Sequence, residues 1–197
     1  MAIEYNVNRG ICADSTNISD EKRNDFKLCN LLTKWQANWP IGLTDRARRC
    51  CDFAKQGIEE NVFSKKQFSA VTKFMWFLEP SEWTVFDKYA AIGLGVKGIT
   101  LELKMLAFYR KLEDKNFVGL CSRMQTILNE SVFAELPATR ILDKFFMIQG
   151  DPNFAERTRS EANLFVTLLP VSLANDLKTL GIEIQRQFGN QARKLCE

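Results

Sequence analysis

Lys73 and Asp87 are the two residues of this chain whose types and setting best suit chemistry. Lys73 sits in the middle of an apolar run, Phe68-Ser69-Ala70-Val71-Thr72-Lys73-Phe74-Met75-Trp76-Phe77-Leu78-Glu79-Pro80. On a helix, residues three and four apart share a face. Lys66, Ser69, Lys73, Trp76 and Phe77 then form one stripe, and Phe68, Val71, Met75 and Leu78 another. Burial among these rings would disfavour the ammonium form, which is how a lysine becomes a nucleophile. The alternative is a lysine that reaches solvent along its own alkyl stem. Asp87 follows the Pro80 stop, in Trp83-Thr84-Val85-Phe86-Asp87-Lys88-Tyr89. It opens a second helix that can fold back on the first. There it either caps the helix or, if Thr84 takes the cap, points into a cleft beside Lys73.

Composition narrows the chemistry further. The chain has 197 residues and no histidine, which excludes Ser-His-Asp and Cys-His catalysis and His-ligated zinc. Its six cysteines form no Cys-x-x-Cys pair and no metal-ligand spacing, so they read as buried reduced thiols. We expect no metal and no cofactor. A net charge of +3 permits nucleic-acid binding without arguing for it. No stretch of eighteen apolar residues exists, and the first residues lack a basic and apolar leader pattern, so we expect a cytoplasmic protein with no membrane partner.

The elements that must position the pair read as helices throughout, giving an all-α fold of eight or nine short-linked helices in one domain over residues 1–197. Residues 1–18 are polar and irregular. Ser19 or Asp20 caps a helix to about Asn38, with Phe26, Cys29, Leu32 and Trp35 on its buried face. Thr44 caps the next, from Asp45 to about Asn61, with Ala47, Cys50 or Cys51, Ala54 and Ile58 inward and Arg46, Arg48, Arg49 and Lys55 outward. Residues 64–98 hold the helix-turn-helix region with Lys73 and Asp87, in helices at about 65–79 and 85–92. Gly93-Leu94-Gly95-Val96-Lys97-Gly98 formally matches a dinucleotide fingerprint, but it follows a helix and no βαβ unit surrounds it. Those glycines are expected to end one helix and turn toward the next. Thr100 caps a helix to about Glu113, and further helices cover about 115–130, from Pro137 to Gly150, from Asp151-Pro152 to Leu169, and about 171–188. A basic tail carries Arg193 and Lys194.

The string Ser69-Ala70-Val71-Thr72-Lys73-Phe74-Met75-Trp76-Phe77-Leu78-Glu79-Pro80, with Trp83-Thr84-Val85-Phe86-Asp87-Lys88-Tyr89-Ala90, resembles the core of bacterial OGG-fold proteins, distant relatives of the helix-hairpin-helix 8-oxoguanine DNA glycosylases. Arg140-Ile141-Leu142-Asp143-Lys144-Phe145-Phe146 resembles a later helix of the same group. The resemblance implies that Lys73 attacks the sugar C1′ and that Asp87 stabilises the cationic sugar or activates water. It implies Trp76, Trp83 or Phe86 as a stacking wall for a flipped base, and double-stranded DNA as the partner of a monomeric enzyme. Damaged bases and hypermodified phage bases such as glucosylated hydroxymethylcytosine are the implied substrates, the latter in anti-phage defence. The chain departs from the group's pattern in lacking the glycine-rich hairpin before the lysine, where Lys65, Lys66 or Lys97 would substitute as phosphate contacts. It also departs in placing Lys88 after the aspartate, beside the DNA. Asp87 is the first catalytic candidate and Lys73 the second; Asp143 is a distant third, expected rather as a structural ion-pair partner. A non-catalytic DNA-binding or defence module, and a helical protein-interaction domain, are the competing functional classes.

Overall fold

In the computed structural model, residues 27–35, 39–80, 82–151, 170–184 and 186 are described. They are all-helical and compact, with no strand among them. The helices are α1 (residues 27–35), α2 (Leu43–Glu59), α3 (Phe68–Leu78), α4 (Lys88–Gly93), α5 (Leu101–Asp114), α6 (Phe117–Asn129), α7 (Ala138–Gly150) and α8 (Val171–Ile184). The irregular segment at 1–18, the helix expected from Asp151-Pro152 to Leu169, and the basic tail lie outside the described residues. No helix among those described is long and apolar enough to cross a membrane.

Local chemistry sets most of the boundaries. Thr100 caps α5 by accepting from the Leu103 amide at 3.2 Å. Asn116, in a left-handed backbone conformation, caps α6 through the Gly119 amide. The α4 C-terminus closes in a Schellman pair, with Val96 N–H donating to Ala91 O at 2.9 Å and Gly95 N–H to Ile92 O at 2.8 Å. Gly95 carries the positive φ of 65° that this closure requires, as expected for a helix-ending glycine. Lys111 Nζ donates to the freed Leu94 and Gly95 carbonyls, fastening α5 beneath the turn.

Three expectations are corrected. The α2 cap is Gly42, not Thr44; the Thr44 hydroxyl bonds to Glu113 of α5 instead. Arg46 does not face out. It is buried, with Nε donating to Pro40 O at 2.6 Å and the guanidinium 3.7 Å from Glu82. Those acceptors lie outside α2, Pro40 just before it and Glu82 far along the chain, which helix periodicity cannot register. In α1 the buried face is Leu28 and Leu31 with Leu32 and Trp35 partly covered, while Cys29 is exposed. The longer side chains take the core and turn the helix away from the thiol. Cys50, Cys51 and Cys121 are buried and free as expected, and burial pushes the Cys51 thiol up to about 11 and the Cys121 thiol to about 12. Cys12 and Cys196 lie outside the described residues.

The core runs through Phe53, Trp83, Phe108, Tyr109, Phe117 and Phe146, all fully buried. Helix α2 packs on α3 and α5, α6 packs on α7 and α8, and α4 packs on α7. The α4–α7 contact is unusually close because Gly93 and Gly150 face each other across it. A Cβ on Gly93 would lie 2.1 Å from Phe146 O, and one on Gly150 would lie 1.9 Å from Tyr89 O. Two hydrogen atoms in place of methyl groups let the two backbones touch.

Candidate active site

The Thr72 side chain ties the two halves of the Lys73 and Asp87 region together. The extended segment 83–87 runs beside α3, and Phe86 N–H donates to Thr72 Oγ1 at 3.1 Å. Trp83 Nε1 donates to Thr72 O at 3.1 Å, and Thr72 Oγ1 donates to Ser69 O at 3.1 Å. Tyr109 Oη donates to Thr84 O at 2.7 Å from the far side. Thr72 is the neighbour of Lys73, and Phe86 is the neighbour of Asp87. One hydroxyl therefore fixes the relation of the lysine-bearing helix to the aspartate-bearing turn. This bond sits in the core, where an unsatisfied amide is costly. Thr72→Val keeps the shape and orphans Phe86 N–H, so the expected loss is about 1–3 kcal/mol. Thr72→Ser keeps the hydroxyl and should retain most of that stability. Urea denaturation of both variants checks this, and equal stability of Val and Ser variants would contradict it.

Asp87 is the α4 cap. Its Oδ1 accepts from Tyr89 N at 2.7 Å and from Ala90 N at 3.4 Å. Thr84 does not take that role; it is fully buried. Capping does not remove Asp87 from the surface, because it is half-buried and lines a cleft of about 420 Å³ together with Ser69, Phe86, Lys88, Leu101 and Lys104. That volume falls in the range of about 300–1,000 Å³ typical of small-molecule sites. Lys73 is half-buried and is not part of that lining, although Ser69, one turn earlier on its stripe, is.

Behind the pair stands Asp143 of α7, only 2 % exposed. Its Oδ2 accepts from Arg140 at 2.6 Å, and its Oδ1 is buried without a hydrogen-bond partner among the described residues. Burial raises its carboxyl to about 6, opposed by Arg140, reinforced by Asp87, and opposed again by Lys144 and Lys73. Asp143 of α7 thus lies within electrostatic reach of both Asp87, at the start of α4, and Lys73 of α3. The Arg140–Asp143 ion pair matches expectation. The carboxyl's depth and its coupling to Asp87 do not show in sequence, where an Arg-x-x-Asp spacing on an amphipathic helix is the only signal. Arg140 also lies 5.3 Å from the centre of the Trp76 ring, whose Nε1 donates to Thr139 Oγ1 at 3.4 Å, so α7 holds the indole from two sides.

A pH prediction follows with a definite sign. Folding raises the Asp143 pKa from 3.8 to about 6, so protonated Asp143 favours the fold. That stabilisation is complete below pH 4 and is lost as pH rises through about 6. Asn imitates the protonated acid without titrating. Asp143→Asn should match the parent protein near pH 4 and exceed it above pH 7 by up to about 3 kcal/mol. Denaturation at pH 4, 6 and 8 measures the gap, and a gap that does not widen with pH would contradict the placement of this carboxyl.

The other expected site residues divide clearly. Trp83 is 0 % exposed and stacks on Tyr109 at 4.2 Å, nearly parallel, so it has no free face for a base. Phe86 is buried against Phe108 at 5.6 Å but contributes to the cleft lining. Trp76 is half-buried. Lys66 pairs with Glu102 at 3.2 Å, and Glu102 also takes Lys55 at 3.4 Å. Lys88 and Lys97 are exposed, with Lys88 at the cleft and Lys97 on the following turn. No group of three or more metal-ligating side chains gathers among the described residues. No family model matches the chain, no curated protein matches it, and no solved structure matches its fold.

Proposed function

We propose that this protein is a DNA glycosylase that cleaves the N-glycosidic bond of a damaged or modified base and leaves an abasic site. The supporting observation is the hydrogen bond between Phe86 N–H and Thr72 Oγ1, which ties Asp87, in the lining of a cleft of about 420 Å³, to the helix that carries Lys73. Breaking the glycosidic bond builds positive charge on the deoxyribose. A carboxylate fixed in place by two backbone amides offsets that charge without having to reorganise. Water then adds to C1′, its proton passes to the medium through Asp87, and the base departs with the bonding electrons and takes up a proton. Asp143 does not touch the cleft; it acts as a positioning residue that holds Arg140 against Trp76.

Lys73 would add a second step if its amine reached C1′, giving a Schiff base and strand cleavage. Its absence from the cleft lining favours water as the nucleophile. The test incubates the protein with unmodified duplex, duplex containing 8-oxoguanine, and phage DNA rich in glucosylated hydroxymethylcytosine, each followed by alkali and, separately, by borohydride. Alkali-labile sites without a trapped protein–DNA adduct are expected. Salt-sensitive binding with no alkali-labile site on any DNA would instead assign the protein to the non-catalytic DNA-binding class, and no binding at low salt would assign it to protein interaction.

A further inference from the structure

The Asp87 cleft has a neighbour. A groove of about 560 Å³ runs along the α4–α5 turn and the outer face of α5, lined in part by Lys97, Ile99, Leu103, Arg110 and Asp114. Val96 lines both depressions, so they abut. The chain that separates them, residues 99–103, forms a crest rather than a floor. Ile99 is 98 % exposed at its tip, and Leu101 and Leu103 are about half exposed behind it. A run of aliphatic side chains standing in water is unfavourable for an isolated protein and marks a contact surface.

Charge indicates what meets it. Lys88 and Lys104 line the Asp87 side of the crest, and Lys97, Arg110 and Lys111 line the other. Lys88, Lys97, Lys104 and Arg110 form no ion pair among the described residues. Lys111 beside them has its pKa lowered first by burial and then by the neighbouring charges of Lys115 and Lys97. Lys55 and Lys66 differ, because both pair with Glu102 and Lys55 also pairs with Asp52. Asp114 is the acidic residue of the outer groove. An apolar crest with unneutralised cations on both flanks is complementary to a duplex, with a phosphate strand on each side and an opened base step between them. Side chains that wedge between base steps in this manner are aliphatic or aromatic, and they unstack the bases they separate. An acidic protein segment would need an apolar groove with charges at its rim, whereas here the most exposed apolar atoms protrude.

We propose that Ile99 is a DNA wedge: it enters the base stack beside the nucleotide destined for the Asp87 cleft, while Lys88 and Lys104 on one flank and Lys97 and Arg110 on the other hold the phosphates of the opened step. The proposal rests on the glycosylase assignment for the nucleotide's destination, but its own signature is binding and unstacking, not base release. It also assigns the phosphate contacts to the start of α4, the α4–α5 turn and α5 rather than to Lys66.

The test uses the full chain and a duplex with 2-aminopurine opposite and next to the target base. The parent protein should bind with an affinity that falls steeply with salt, and 2-aminopurine fluorescence should rise as its stacking is lost. The triple variant Lys97→Ala, Lys104→Ala, Arg110→Ala should reduce the slope of log affinity against log salt by about 2 to 3, close to one unit per lost phosphate contact. Ile99→Ala should leave that slope unchanged and abolish the fluorescence rise; both changes are at the surface, and thermal melting confirms folding. An unchanged slope in the triple variant, or an unchanged fluorescence rise in Ile99→Ala, overturns the proposal. So does a parent protein that ignores duplex at low salt yet binds an amphipathic Leu/Glu peptide, which would give the crest to an acidic protein partner. Asp87→Asn separates the two levels. Base release lost with unstacking retained supports the wedge, and unstacking without base release from any DNA removes the glycosylase assignment alone.

Discussion

Asp87→Asn is expected to lower base release about 100- to 10,000-fold, the range for removing a charge-stabilising or general-base group from an active site, while leaving the fold intact. The substitution is informative because the proposed reaction gives Asp87 a second role, separable from the cap. As a cap it needs only an acceptor oxygen for the Tyr89 and Ala90 amides, and Asn supplies one about as well as Asp does. As a charge opposite a cationic sugar it needs the carboxylate, which Asn lacks. Thermal melting within a few degrees of the parent, with base release gone, separates chemistry from structure. Asp87→Ala would not, since it removes the cap as well, at about 1 kcal/mol. Full activity in the Asn variant would reduce Asp87 to a cap.

Gly150→Ala should be the most damaging conservative change in the described structure. Its Cβ would lie 1.9 Å from Tyr89 O, 2.7 Å from Gly93 N and 2.8 Å from Tyr89 C, all backbone atoms. No rotamer change can relieve such contacts, so α4 and α7 must separate. Overpacking of this kind costs about 1–3 kcal/mol in ordinary cores, and an all-backbone clash belongs at or above the top of that range. The damage extends to function, because α4 carries Asp87 at its first turn and α7 carries Asp143. Gly181 of α8 provides the control, with nothing among the described residues within 4 Å of an added Cβ. There Gly→Ala removes helix-interior glycine and should stabilise by about 0.5–1 kcal/mol. Equal melting temperatures for the two variants would contradict the close α4–α7 crossing.

How far the sequence carries depends on whether a feature is local. The Thr100 cap, the glycine-ended α4 and the start of α7 after Pro137 are set by residues within one turn of the boundary, and the sequence places them well. Asp87 was legible as a residue at the start of a helix for the same reason. What could not be read was anything that depends on a second element. Arg46 looks like a solvent-facing arginine until Pro40 and Glu82 supply its acceptors. Asp143 looks like half of a surface ion pair until the fold buries it and brings the charges of Asp87 and Lys73 to bear on it. Gly150 looks like a helix end, yet its distinctive role is toward Gly93 on another helix. The hydrogen bond that fixes the site is tertiary too: Thr72 is an unremarkable helix threonine until the segment after Pro80 folds back along α3.

The most direct measurement is mass spectrometric detection of free base released from DNA by the purified protein. Modified phage DNA, 8-oxoguanine duplex and unmodified duplex are incubated with the parent protein and with Asp87→Asn. A glycosylase built around Asp87 predicts one liberated base species from at least one modified DNA, matched by an equal number of abasic sites, and none with the variant. Release of no base from any of these DNAs, or equal release by parent and variant, would contradict it.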